Sequence, residues 1–200
     1  MWARLESNTI VEILVRPKAL NIGGTQYPSN IFSMWSNSEL ATIGIVPVTT
    51  DNTNLKDKEY YINTNQSFAY DTETGVATAS YGTATAKPIA DTLYTAQDET
   101  DGLGTEGEVK QHGLKYEHKE KINQQAASIL QPTDWMVVRA AEGGTAVPSS
   151  ITTKRAAVRT KANAMCTQID AVSDVDALAA LYVYNDATPP VRPLGELPTV

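Results

Sequence analysis

Hydrophobic and polar positions along the chain change period near its middle. In the first part they recur every second residue. Trp2, Arg4 and Glu6 alternate with Ala3 and Leu5, Ser7-Asn8 is a turn pair, and β-branched Thr9–Val15 returns. This predicts a hairpin that Pro17 ends. A second, smaller hairpin follows from Ala19–Ile22 and Thr25–Tyr27, because Gly23-Gly24 supplies the positive φ of a tight turn, and Pro28 closes it. Ser36 is placed to cap a short helix over residues 39–43 that Gly44 ends, with Phe32, Trp35, Leu40 and Ile43 as its buried members. Residues 45–48 read as a strand. Residues 51–81 read as a further β section with short strands at 59–62, 67–70 and 76–81, rich in Thr, Asn and Tyr, as in thin sheets with one wet face. From Gly82 to Gly107 the pattern dissolves into Thr, Ala, Gly and acids, which predicts a linker or an extended arm.

The second part follows the helical period. Leu114, Ile122, Ala126 and Ile129 give a narrow apolar stripe over 108–131. Pro132 and Thr133 stop that helix. Asp134 or Thr133 is placed to cap a short helix opening on Trp135, and Gly143-Gly144 ends it. Pro148 and Ser149 start the longest helix, 149–170. Its apolar positions Ile151, Val158, Ala162, Met165, Ile169 and Val172 are spaced 7, 4, 3, 4 and 3, a seam of a and d type. Asp174 caps a further helix over 175–181. Pro189, Pro190, Pro193 and Pro198 leave a tail that cannot continue a helix and should lie extended on a surface. The expected class is therefore α+β: a small antiparallel β-rich N-terminal domain (1–81), a linker or extended arm (82–107), a C-terminal helical hairpin module (108–184) and a Pro-rich tail (185–200).

Composition narrows the function classes. Apolar residues make up 42% and aromatics 7%, with nine tyrosines against two phenylalanines, which suits thin layers and interfaces better than one deep core. A net charge of −7 lacks the basic excess of a general nucleic-acid binder. No window reaches the roughly 18–20 apolar residues of a membrane span, and the first residues lack a signal-peptide core, so the chain is expected to be made in the cytoplasm of the cell that expresses it. With Cys166 alone, no intrachain disulfide can form.

Candidate chemistry is sparse. His112 and His118 are six apart, on different faces of a helix, and read as solvated. Cys166 reads as a half-buried structural thiol. The acidic run Asp98, Glu99, Asp101, Glu106 and Glu108 lacks the ligand spacing of an EF-hand. Lys154, Arg155, Arg159 and Lys161 read as a solvated face, or as partners of acids in 108–120, ahead of a phosphate-binding face. No nucleophile elbow, P-loop or dinucleotide fingerprint occurs. No catalytic residue, cofactor or metal is expected.

Two stretches carry a family resemblance. Thr133-Asp134-Trp135, Arg139-Ala140-Ala141-Glu142, Ala146-Val147-Pro148 and Lys154-Arg155-Ala156-Ala157-Val158-Arg159 resemble the C-terminal module of bacteriophage tail-fibre assembly and tail assembly chaperone proteins: an Asp-Trp anchor, a Pro-started helix and an Arg-rich stretch. Met1-Trp2-Ala3, Val11-Glu12-Ile13, Tyr27–Phe32, Trp35-Ser36 and Leu40–Ile45 are similar to phage tail proteins. Together these cover roughly 1–48 and 128–185. The resemblance implies a non-enzymatic, tail-fibre-associated protein of the virion tail, made in the host cytoplasm. It would bind a fibre or other tail subunit, without nucleic acid or membrane, and could self-associate. The alternative is a transient assembly chaperone absent from the mature virion. The expected partner-binding residues are Trp135 and Arg139 on the short helix, with Ile151, Val158 and Met165 along the seam. Truncating Trp135 to alanine would cost about 3–5 kcal/mol of stability if the ring is core. If the ring is a surface anchor, the loss is about 2 kcal/mol of binding instead.

Overall fold

The two-residue period of the N-terminus becomes a hairpin of β1 (Trp2–Glu6) and β2 (Thr9–Leu14), turned at Ser7 and Asn8 with φ of 50° and 62°. The computed structural model describes all of residues 1–200, which form an α+β chain of two units, Met1–Thr85 and Ala86–Val200. The second hairpin, β3 (Leu20–Ile22) and β4 (Thr25–Tyr27), turns at Gly23-Gly24, both at positive φ. A helical turn, α1 (Ile31–Met34), was not expected from the sequence. In α2 (Asn37–Thr42) the Ser36 hydroxyl accepts from the Glu39 N–H, and the Glu39 carboxylate accepts from the Ser36 N–H at 2.7 Å, a reciprocal cap. Gly44, at φ +78°, then lets the chain enter β5 (Ile45–Asp51) against β1. A Cβ there would stand 2.7 Å from the Leu5 carbonyl oxygen.

After β6 (Tyr61–Ile62), β7 (Gln66–Asp71) and β8 (Val76–Tyr81) form a hairpin across a turn whose Asp71 carboxylate accepts from the Glu73 N–H and the Thr74 hydroxyl. The sheet order is β2-β1-β5-β8-β7. It is mixed, which corrects the antiparallel expectation. β5 pairs with β8 in parallel, Val48 opposite Ala77, because the β7 hairpin returns β8 in the direction of β5. Edge strands β2 and β7 approach each other, so the sheet curls. Alternation puts Leu14 and Ile45 on one face with Trp2, under Leu20, Phe32 and Leu40, while Ala3, Val46 and Ala77 face the other side with Ile13 and Tyr70. Of the four residues expected inside around α2, Phe32 and Leu40 are buried, whereas Trp35 and Ile43 are half-buried. The unit ends at Thr85, the first residue of β9 (Thr85–Ala86), the strand that pairs with β6.

Residues 86–107 carry more structure than the expected linker. β10 (Thr92–Leu93) and β11 (Val109–Gln111) pair around α3 (Ala96–Thr100), which has its own reciprocal cap from Thr95 and Asp98. The carbonyls of Pro88 and Ile89 accept from the Leu114 and Lys115 N–H groups, and the Asp91 carboxylate accepts from the Gly113 N–H. This segment therefore satisfies the open first turn of α4 (Leu114–Leu130). Its Thr- and Gly-rich composition hid that role, because the groups that meet α4 are two carbonyls and one carboxylate with no periodic pattern.

α4 packs antiparallel to α6 (Ser149–Ala171): Lys115 at the start of α4 donates to the Asp170 carbonyl near the end of α6, and Arg155 near the start of α6 donates to Leu130. Between them lies α5 (Asp134–Ala141), reached through a 3-10 turn at Gln131–Thr133. The buried seam is Leu114, His118, Ile122 and Ala126 against Val158, Ala162, Met165 and Ile169. α7 (Val175–Ala180) adds Val175 and Leu178, and Asp174 caps it through the Ala177 N–H, as expected. The Pro-rich tail lies on its own unit. Leu194 is fully buried, its N–H donates to the Leu181 carbonyl, and its carbonyl accepts from the Lys161 ammonium. The Arg192 guanidinium sits over the rings of Tyr182 and Tyr184 at 5.4 and 5.5 Å.

Met165 is fully buried while Ile151, at the first turn of α6, is only partly so. Met165→Ala is expected to destabilise the helical unit by about 2–5 kcal/mol, and Ile151→Ala by clearly less. Urea unfolding read through amide exchange of α4 and α6 measures both; equal losses would contradict this packing.

Candidate functional site

The stretch Thr133–Pro148 is held from one side by a single side chain. Arg155, nearly buried on α6, donates to the Leu130 carbonyl at 2.8 Å, the Thr133 hydroxyl at 2.5 Å and the Asp134 carboxylate at 2.7 Å. A planar guanidinium suits this task, because its fixed fork can reach three acceptors at once. The geometry corrects two expectations. Arg155 is neither a solvated base nor a partner of acids in 108–120. Asp134 does not cap α5, since its carboxylate faces Arg155, and the Thr133 hydroxyl donates back to Leu130 rather than accepting from the helix. Gly143-Gly144 does end α5, with Gly143 at φ +84° and the Gly144 N–H donating to the Arg139 carbonyl.

α5 itself has no buried residue, although its sequence is Asp-Trp-Met-Val-Val-Arg-Ala-Ala. Trp135 is 55% exposed, Val138 55% and Val137 42%. The Arg139 guanidinium lies 4.8 Å from the centre of the Trp135 ring, a cation–π contact that stiffens both side chains. An eight-residue helix is too short to be stable by propensity alone. It is held here by the Arg155 contacts at its start and the glycine corner at its end, and its apolar surface faces outward.

The five expected partner-binding residues therefore separate. Trp135 is exposed on α5, and the half-buried Arg139 lies against its ring. Val158 and Met165 are fully buried, and Ile151 is half-buried, so the seam is satisfied within the chain by α4. Val158, Ala162, Met165 and Ile169 of the seam are buried as their spacing predicts, and their partner is the chain's own helix.

His118 reverses the reading as solvated. It is buried, with Nδ1 2.8 Å from the Tyr182 hydroxyl, at the point where α4, α7 and the tail converge. Its four-residue steps from Leu114 and to Ile122 place it on the apolar stripe, and its polarity masks that position in the sequence. His112 is exposed, stacked on Tyr116 and 3.2 Å from the Asp91 carboxylate. Cys166 is half-buried in a cleft with Asn123 and Asn163, near the Lys119–Asp170 ion pair, and burial pushes its thiol up from the ordinary value. That direction opposes thiolate reactivity. No three His, Cys, Asp or Glu side chains gather as a metal-ligand group, and no helix is long and apolar enough to cross a membrane.

The acidic run is used in folding. Asp98 accepts from the Lys110 ammonium at 2.7 Å and from the Thr95 N–H and hydroxyl. The bond to Lys110, then those to Thr95, pull its carboxyl down to about 2. Compared with protein-family models, with curated proteins and with solved structures, the chain matches none.

A depressed folded-state pKa means that the Asp98 contribution is present above the ordinary carboxyl value of 3.8 and is lost as the pH falls toward about 2. Amide protection across 95–111 should therefore drop between pH 5 and pH 2 on the acid side only. Asp98→Asn should lower protection at pH 5 and flatten its pH dependence. An unchanged profile in that variant would assign the acid sensitivity elsewhere.

Proposed function

We propose that this chain is a non-enzymatic protein of a bacteriophage tail-fibre system, resident in the virion tail, which binds a fibre or other tail subunit through α5. The observation that carries this reading is an apolar eight-residue helix with no buried residue, which leaves Trp135, Val137 and Val138 exposed and sets Arg139 against the Trp135 ring. Tryptophan and arginine are the residue types that most often dominate interface energetics, and a rigid pair loses little entropy on binding. The sequence points to the occupant: Asp134, Trp135 and Arg139 are among the residues on which the tail-fibre resemblance rests, and of these Trp135 is exposed with Arg139 against its ring. Val158 and Met165 support the site indirectly. They fix α6, and α6 carries Arg155, which holds the start of α5.

Trp135→Ala is expected to change folding stability by less than about 1 kcal/mol, as for an exposed position that loses one cation–π contact. The same variant should weaken capture of the fibre subunits encoded with it by about thirtyfold or more, the equivalent of about 2 kcal/mol. Retained capture by a folded variant would remove α5 as the contact. Mass spectrometry of purified virions completes the test: stoichiometric presence supports a resident tail protein, and absence supports the assembly chaperone.

A further inference from the structure

A second site lies in the N-terminal unit, away from any residue used so far for function. The chain between β5 and β7 folds over a cleft of about 530 Å³ lined by Tyr61, Tyr81, Asn65, Gln66, Lys58 and Thr64, among others. That volume is within the roughly 300–1,000 Å³ of small-ligand pockets. We propose that this cleft binds a neutral saccharide.

The segment has little apolar core of its own, with Tyr60 as its one buried residue, and polar side chains brace it instead. The Asn63 amide bonds both the N–H and the carbonyl of Lys56, at 2.9 and 2.8 Å. The Thr64 hydroxyl accepts from the Gly82 N–H at 2.8 Å, and the Asn54 amide donates to the Tyr81 carbonyl at 3.0 Å. These bonds fix the walls in advance, so little ordering is needed when a ligand enters. The amides of Asn65 and Gln66 take no part in the bracing and line the cleft. Each offers a carbonyl acceptor and two N–H donors, a pattern that suits adjacent hydroxyl groups, which both donate and accept. The tyrosine rings supply flat apolar surface with a polar tip. A pyranose has the matching character: C–H faces that lie on a ring and hydroxyls around its rim.

Charge decides against a phosphorylated ligand. Lys58 is the one charged residue that lines the cleft, with Asp57 and Glu59 on either side of it in the chain, so a phosphate would meet a single ammonium and no arginine fork. The Lys56 ammonium lies 6.0 Å from the Tyr61 ring centre, a position that holds the ring rather than an anion.

The full-length chain is titrated with maltohexaose, chitotetraose and mannotriose by calorimetry and saturation-transfer NMR, with adenosine monophosphate and decaproline as competing ligand classes. At least one oligosaccharide is expected to bind with a Kd of about 1 mM or below. Asn65→Ala and Tyr81→Ala should each weaken that binding by about tenfold or more, with unchanged far-UV circular dichroism. Asn65 is exposed, so its variant keeps the test valid if Tyr81→Ala misfolds. The proposal is overturned if none of the three sugars binds at about 10 mM. It is overturned equally if sugar binding survives Asn65→Ala unchanged, or if only adenosine monophosphate or decaproline occupies the cleft. None of these results bears on α5, because Trp135→Ala reports on that surface separately.

Discussion

The helical unit depends on where one guanidinium goes. Arg155 is held almost out of solvent with its charge answered by Asp134, and it makes two further N–H bonds to a hydroxyl and a helix-end carbonyl. A nearly buried cation is tolerated when it is paired and hydrogen-bonded in this way. Its placement fixes three things together: the end of α4, the turn of the chain through Gln131–Thr133, and the direction in which α5 leaves. The apolar seam alone would permit α4 and α6 to slide by a turn. A guanidinium reaching three acceptors at one register does not.

The partition of apolar residues follows from that arrangement. The α4–α6 seam is closed within the chain, and the tail buries Leu194 in the same unit, so most of the apolar surface that periodicity reveals has no remaining task. α5 is the exception, since its position is fixed by polar contacts at its start while its apolar side chains stay outside. A helix positioned in this way can present a tryptophan without needing it for folding. That separation of folding from exposure is what leaves α5 free to serve as the proposed contact.

Much of the local structure was legible because it is written in local chemistry. The hairpins at Ser7-Asn8 and Gly23-Gly24, the Ser36 and Asp174 caps and the Gly143-Gly144 corner each depend on residues within a few positions of one another. What was missed depends on distant partners. Asp134 is a good cap in isolation and is claimed instead by a residue 21 positions later. His118 fits the stripe of α4 by position and not by type. Residues 86–107 lack a pattern because two carbonyls and a single carboxylate, rather than a periodic set of side chains, complete the start of α4. The polarity of Asn65 and Gln66 gave no sign that a cleft would gather them with two tyrosines, since that depends on how the loop after β5 is braced.

The parallel pairing of β5 with β8 sets an order of events during synthesis. β1, β2 and β5 can assemble once residue 51 has left the ribosome, but the other edge of β5 stays open until the β7–β8 hairpin is complete some thirty residues later. Over that interval the nascent sheet presents an unfilled strand edge, the kind that recruits a neighbouring chain. The exposed end of that edge is Thr49, Thr50 and Asp51 rather than Ile45 and Val46, so the interval passes with polar residues at its outer end. Chains emerging close together, as on a crowded polysome, would meet first at a stretch that is poorly suited to hold them.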